Sequence, residues 1–407
     1  MYPWRNIRVM RCCMKIVHIN TFPYKATGNI MLSIHEELCN QGNESYVVWG
    51  RGRESQCRQE IVLKDDLGVK LHGIYTRITD RTGFASKKIT IQFVKKLQEI
   101  DPDIVHLHNI HGYYINIEIL FDYLKRYKKK IVWTFHDCWP MTGHCAYFDM
   151  VGCTKWKTGC YDCKQLKTYP ASLVFDGSKW NWKKKNTLFS YDNLTVVTPC
   201  NWLNQLVCES SMRYKQVVTI YNGIDTAKYY RIKSDVLKKY GIEDKKMVLG
   251  VASEWTERKG LHDFVELSKR LDNSKYKVLI VGLTKKQIVQ LPEQIIGLER
   301  TSNLQELLEL YSSAYVFLNL TYEDNFPTTN LEAMACGTPV ITYRTGGSPE
   351  ALSENTGIVV EKGDLNAVIQ SIDTGDIGKI KPVLPEKFRK NNMINAYVDI
   401  YHKIYEE

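Results

Sequence analysis

The chain has 407 residues, 44% of them hydrophobic and 25% charged, with a formal net charge of +10. Such a length exceeds one ordinary core and sets an expectation of two domains of about 150–200 residues each. The composition is that of a globular protein, and no apolar run reaches the roughly 18 residues that a membrane span needs.

The charge is uneven. Residues 1–225 carry 31 Lys and Arg against 20 Asp and Glu, whereas the remainder carries 24 against 25. A basic face of this kind attracts nucleic acid, an anionic membrane surface or a phosphorylated substrate, and charge alone does not choose among them.

In chain order, residues 1–13 ("MYPWRNIRVMRCC") are basic and lack both an apolar stretch and a small-residue cleavage site. They read as an extension or tail rather than a secretory signal. Twelve cysteines without such a signal favour reduced thiols or metal ligands over disulfides.

From Met14 onward, short β-branched runs alternate with helical patterns: "KIVHIN" (15–20), "SYVVWG" (45–50), "DIVHLH" (103–108), "KIVWTF" (130–135) and "LTVVTP" (194–199). Helices are expected at 30–40 and 117–126. His106, His108 and His111 follow one strand end; on an extended chain they are expected to point to different faces, as structural or acceptor contacts rather than metal ligands.

The stretch from His136 to Cys163 holds five of the twelve cysteines. Cys145, Cys153, Cys160 and Cys163 are spaced C-x7-C-x6-C-x2-C. The closing C-x2-C is a common half-site for tetrahedral zinc, and four thiolates would close a structural site. Zinc is favoured over four unmetallated thiols or a redox disulfide, with Cys138 and His144 as alternates for any one ligand.

The joint is placed near "TIYNGIDTAKYY" (219–230), where Asn222-Gly223 tolerates a positive-φ turn. The alternation resumes with "MVLGVAS" (247–253), "KVLIVG" (277–282), "YVFLNLT" (315–321) and "TPVITY" (338–343), and a last helix spans about 385–407. Two such series imply an α/β chain of two doubly wound, Rossmann-like parallel-sheet domains facing a central cleft, with sites beyond the carboxyl ends of the strands. The expected domains are 14–222, with a Cys-rich insertion at 138–163, then 223–384, with the 385–407 helix packing back on the first.

The stretch from Tyr322 to Thr342, "YEDNFPTTNLEAMACGTPVIT", is the most informative. It follows a strand and contains a short helix, about 328–336, capped by Thr328 and stopped by Gly337 and Pro339. Asp324 in the loop and Glu332 in the helix converge on one ligand: carboxylates accept from sugar hydroxyls, and the amides at a helix start suit phosphate. A nucleotide-sugar has that shape.

Here the chain resembles the retaining glycosyltransferases of family 4, which have the GT-B fold, through the acid-x7-acid spacing of Asp324 and Glu332 and the following "AMACGTPVI". The resemblance implies that Glu332 holds the ribose hydroxyls. Asp324, with Glu323 as a substitute and the 325–329 segment (Asn325, Phe326, Pro327, Thr328 and Thr329), would hold the donor sugar. "VASEWTERKG" (251–260) matches the family's Lys-Gly at Lys259 and Gly260. Glu254 stands where the family has Arg, and Arg258 beside Lys259 supplies the missing positive charge. A cation is needed there because charge builds on the leaving diphosphate. "YNGID" (221–225) resembles the family's interdomain segment. "PYKATGNIM" (23–31) stands where the family has a glycine-rich loop, with Gly28 letting the backbone approach acceptor or phosphate, and His136 is the first-domain residue expected near the donor sugar.

The resemblance further implies same-face substitution, in which the leaving phosphate oxygen deprotonates the acceptor hydroxyl. Lys259, Arg258 and helix amides would take the place of a catalytic metal, and no Asp-x-Asp is present. The acceptor is expected to be a glycan, lipid-linked, in surface polysaccharide or lipopolysaccharide assembly. That places the enzyme in the cytoplasm, peripheral on the inner face of the membrane, with no nucleic-acid partner. The competing readings are a nucleotide-sugar epimerase or hydrolase, a non-catalytic sugar-binding relative, and a zinc-knuckle nucleic-acid-binding protein.

Overall fold

The computed structural model describes residues 13–52, 57–213 and 215–407. Cys13 aside, the extension expected at residues 1–13 lies outside the described residues. The strands run β1 Lys15–Asn20, β2 Glu44–Trp49, β3 Glu60–Val62, β4 Ile104–Leu107, β5 Lys130–Thr134, β6 Leu194–Thr198 and β7 Gln216–Thr219. They continue as β8 Lys246–Val251, β9 Tyr276–Val281, β10 Ile295–Leu298, β11 Val316–Asn319, β12 Val340–Tyr343 and β13 Gly357–Val360.

Two sheets result, with orders β3-β2-β1-β4-β5-β6-β7 and β10-β9-β8-β11-β12-β13. Each reverses direction once, at β1/β4 and at β8/β11, which is the doubly wound pattern. All the registers given are parallel, for example His18 opposite His106 and Val316 opposite Val248. The strands are buried on nearly every position because helices cover both faces, so they carry continuous Ile, Val and Leu rather than alternation.

Strand centres sit where the β-branched runs place them. Sequence reading missed β3, β7, β10 and β13, which are only three or four residues long and carry half-buried positions. The helix expected at 30–40 begins earlier, at Lys25, and buries Ile30, Met31, Ile34 and Leu38 at helical spacing.

Asn222-Gly223 makes no positive-φ turn. Glycine stands there because the chain at Arg389 and Lys390 passes close by: a Cβ on Gly223 would lie 2.7 Å from the Arg389 carbonyl oxygen. Ile224 and Arg389 form an isolated parallel bridge, with Ile224 N–H donating to Phe388 O (2.8 Å) and Lys390 N–H to Ile224 O (2.9 Å). That pairing holds Arg389 extended, so the last helix starts at Lys390 rather than near 385.

The chain divides into two compact units. One comprises the residues up to Thr134, with Tyr191–Thr195 and Tyr397–Glu407; the other comprises Phe135–Ser190 and Val196–Ala396. In the first unit the end of the last helix packs on the strands: Tyr401 Oη lies 2.6 Å from His106 Nδ1, Tyr397 Oη lies 2.9 Å from Thr134 Oγ1, and Lys130 Nζ donates to Ile404 O at 2.6 Å. In the second, Val248, Phe264, Leu267, Ile280, Leu318 and Ile341 anchor the core around the second sheet.

Tyr401→Phe leaves His106 Nδ1 without its buried hydroxyl partner, and a cost of about 1–3 kcal/mol is expected. Urea unfolding checks it: a lower midpoint at unchanged slope is the predicted outcome.

Candidate active site

The loops leaving β8 and β11 meet at the switch point of the second sheet, where doubly wound folds bind ligands. After β8, a single 3-10 turn, Glu257–Lys259, presents Arg258 and Lys259. After β11 come Glu323, Asp324 and Asn325. Lys259 Nζ pairs with Asp324 Oδ2, both side chains about one-fifth exposed (20% and 18%). Arg258 Nη1 donates to Glu323 O at 2.7 Å, and its guanidinium lies 4.4 Å from the centre of the Tyr147 ring. The Tyr322 amide and the Thr321 hydroxyl both donate to Arg258 O, at 2.7 and 3.0 Å, joining the two loops.

Burial alone would raise the Asp324 carboxyl, but Lys259 and Arg258 outweigh it and hold Asp324 below the ordinary carboxylate range. Its neighbour Glu323 goes the other way, raised by burial despite the Met150 amide that donates to Oε1 at 3.0 Å. Of the two adjacent acids, Asp324 is therefore the better anion.

The helix that follows spans Thr328–Ala335. Thr328 is its first residue rather than its cap. Pro327 holds the cap position with no side-chain hydrogen bond, and Thr328 Oγ1 reaches forward to Glu332 Oε1 at 3.4 Å. Tyr311 Oη donates to Glu332 Oε2 at 3.0 Å, and burial raises the Glu332 carboxyl. Thr328 and Thr329 are half-buried, whereas Phe326 is a core residue, its ring 5.5 Å from Tyr221 and 5.7 Å from Phe388.

His136 is half-buried. Its carbonyl accepts the Asn325 side-chain amide at 2.7 Å, which ties the end of the 135 region to the acid loop. The Asn325 carbonyl accepts from Gly347 N–H at 2.7 Å and from the Cys200 thiol at 3.3 Å. Structure thus brings His136, Arg258, Lys259, Glu323, Asp324 and Asn325 into one network.

Gly28 departs from expectation. It lies in the helix Lys25–Asn40 rather than in a loop, and a Cβ there would sit 2.6 Å from the Pro23 carbonyl carbon. Its lack of a side chain serves the close passage of Phe22-Pro23. The histidines also differ from expectation: residues two apart on a strand share a face. His106 and His108 join His18 in a buried group whose ligand atoms all lie within 4.8 Å. His106 is committed at both nitrogens, Nε2 to Thr134 Oγ1 (2.8 Å) and Nδ1 to Tyr401 Oη (2.6 Å).

Tyr311, Tyr147, Met150 and Glu350 were not singled out by sequence. Glu350 caps the helix Asn201–Glu209, accepting the amides of Asn201 (2.8 Å) and Trp202 (2.7 Å) and the Tyr221 hydroxyl (2.9 Å). Its signal was available: Gly346-Gly347 after a strand marks a loop where the backbone approaches closely. Tyr311 and Tyr147 carry no comparable signal.

Two family models match the chain, Glycosyltransferase Family 4 over residues 27–228 and Glycosyl transferases group 1 over residues 233–375. The chain belongs to glycosyltransferase family 4. It is a GT-B enzyme and a transferase of glycosyl groups. Among the relatives of this glycosyltransferase is one from Escherichia coli K12 named for colanic acid biosynthesis, WcaC, 24% identical over 84% of this chain and 86% of WcaC. Sucrose-phosphate synthase from Thermosynechococcus elongatus superposes with a TM-score of 0.70 at 15% identity, covering 97% of this chain and 99% of that one. Anabaena HepE in complex with UDP and glucose superposes with a TM-score of 0.67 at 13% identity, covering 96% and 100%. Among the described residues of this glycosyltransferase no helix is long and apolar enough to cross a membrane.

Lys259→Ala strands the Asp324 carboxylate, and a loss of about 2–4 kcal/mol is expected at neutral pH. Because the folded pKa of Asp324 is depressed, the ion pair's contribution is full above the unfolded value and disappears as pH falls through the folded one. Denaturant midpoints of the two proteins should therefore converge below about pH 4.

Proposed function

We propose that this glycosyltransferase moves a sugar from a nucleotide-sugar to a glycan acceptor in surface polysaccharide biosynthesis, with retention of anomeric configuration. One observation carries the reading: at the β8/β11 switch point, two adjacent cations and an anionic Asp324 stand beside a helix start whose Glu332 has its two oxygens fixed by Tyr311 and Thr328. The colanic acid name of the Escherichia coli relative and the UDP-bound state of HepE support the choice of substrate class.

In this reading Glu332 accepts hydrogen bonds from the ribose hydroxyls of the nucleotide. Tyr311 orients the carboxylate by donating to one of its oxygens. Arg258 and Lys259 face the diphosphate and stabilise the charge that grows on it as the glycosidic bond breaks. Asp324 holds Lys259 in place and accepts from the donor sugar, with the 325–329 segment closing around it.

The leaving phosphate oxygen takes the proton of the acceptor hydroxyl on the same face, so the protein orients and stabilises rather than attacks. His136 approaches the donor sugar from the 135 region. No catalytic metal is invoked, since the two cations do that work. The basic composition of residues 1–225 suits an acceptor carried on a lipid diphosphate at the cytoplasmic membrane face, with the enzyme peripheral there.

A thermal-shift and hydrolysis screen over UDP-, GDP-, ADP- and dTDP-sugars tests the reading. At least one is expected to raise the midpoint and to be consumed slowly, whereas silence from all four would sink it. With the responding nucleotide, Glu332→Ala should weaken binding by about 10–100-fold, the worth of a charged hydrogen-bonding acceptor.

Because burial raises the Glu332 carboxyl, affinity should fall as pH drops from neutral toward about 5, earlier than for a solvated Glu. Titration calorimetry across that range should show the slope in the natural protein and a flat profile in Glu332→Gln.

A further inference from the structure

Cys145, Cys153, Cys160 and Cys163 line one cavity of about 170 Å³. Cys145 is buried, the other three are half-buried, and no disulfide joins any cysteine among the described residues. Four thiols around one small cavity, supplied by fewer than twenty residues of a chain with little regular structure there, call for a bond that holds the segment together.

The backbone is arranged for sulfur ligands. Asp162, between Cys160 and Cys163, adopts φ 43°, the left-handed conformation that Asp tolerates better than most residues. Gly143 N–H donates to Cys160 Sγ at 3.1 Å. Only glycine permits that approach, because a Cβ there would lie 2.6 Å from the Cβ of Cys160.

Cys163 stands at the second position of the C-x2-C pair. Asp176 pins this second knuckle by accepting the amides of Cys163 (2.7 Å) and Ser178 (2.8 Å). Amides aimed at sulfur stabilise thiolate, the form that binds a metal. Positive charge is at hand as well: Lys155 and Lys164 line the cavity.

We propose that these four cysteines bind one zinc ion in a closed tetrathiolate site. On binding, the four thiols release four protons, and the resulting centre carries a net charge of −2 beside those lysines. No three of the sulfurs lie within 4.8 Å of one another, so a closed site requires the cavity walls to move inward on binding.

The ion fixes more than its own loop. Between Cys145 and Cys153 runs the turn whose Met150 amide holds Glu323, whose Asp149 pairs with Lys362, and whose Tyr147 ring supports Arg258. The site therefore anchors the acid loop, and this holds whether or not a nucleotide-sugar is the donor.

Elemental analysis of protein purified without chelator from zinc-supplemented culture is expected to give about one zinc per chain. Cys163→Ser should lose it, whereas Cys208→Ser, at an exposed cysteine outside the cluster, should keep it. If Cys163→Ser fails to fold, cobalt(II) exchanged into the natural protein serves instead, and the intense visible absorption of a tetrahedral thiolate complex is expected. Zinc below half an equivalent, iron in its place, or eight rather than twelve thiols titrating in denaturant with chelator would each overturn the proposal. Zinc removal should also speed hydrogen exchange in the 146–153 peptide roughly tenfold or more, and unchanged exchange would overturn the anchoring.

Discussion

A carboxylate largely withdrawn from water stays charged only where the fold supplies cations and hydrogen-bond donors, and Asp324 lives under that constraint. Lys259 comes from the loop after β8, and Arg258 beside it fixes the neighbouring carbonyl. The next residue, Asn325, is held through its carbonyl by Gly347 and through its side chain by the carbonyl of His136. Glu323 is held by the amide of Met150. Three consecutive residues are thus tied to the ends of β8 and β12 and to the segment after β5. Loosening any one of these ties would expose Asp324 further and weaken its hold on Lys259.

The same economy governs the first unit. The rings of His18, His106 and His108 pack against one another in its core, and burial drives His18 far down, to about 3, so it stays neutral. His106 is bonded on both sides, to Thr134 and to the tyrosine of the last helix. A neutral imidazole with two partners is a polar joint, and it fixes where the end of that helix sits on β4.

Much of the fold was legible in the sequence because parallel strands buried on both faces must be continuous runs of Ile, Val and Leu, and nine such runs announce themselves. The four missed strands are short, and their sequences carry no distinctive alternation. Asp324, Glu332 and Lys259 were legible because spacing within one strand–loop–helix unit fixes where side chains fall. Tyr147, Met150 and Tyr311 were not, since they reach the site only through tertiary packing: Tyr147 lies 111 residues along the chain from Arg258, Met150 173 from Glu323 and Tyr311 21 from Glu332. Gly223 misled because glycine was read as freedom to turn, and Gly28 because it was read as room for a ligand, whereas at both positions it makes room for a neighbouring backbone.

The tie between Asn325 and His136 bears on how such enzymes exchange parts. Recombination that cut the chain near residue 222 would pair an acid loop with a foreign 136–150 segment, and carbonyl, amide and ring contacts would all have to be matched anew. The piece that keeps these contacts intact is discontinuous, made of Phe135–Ser190 and Val196–Ala396. A lineage can therefore diversify the residues before Thr134 while keeping its sugar-transfer loop, but it inherits the cysteine segment and that loop together.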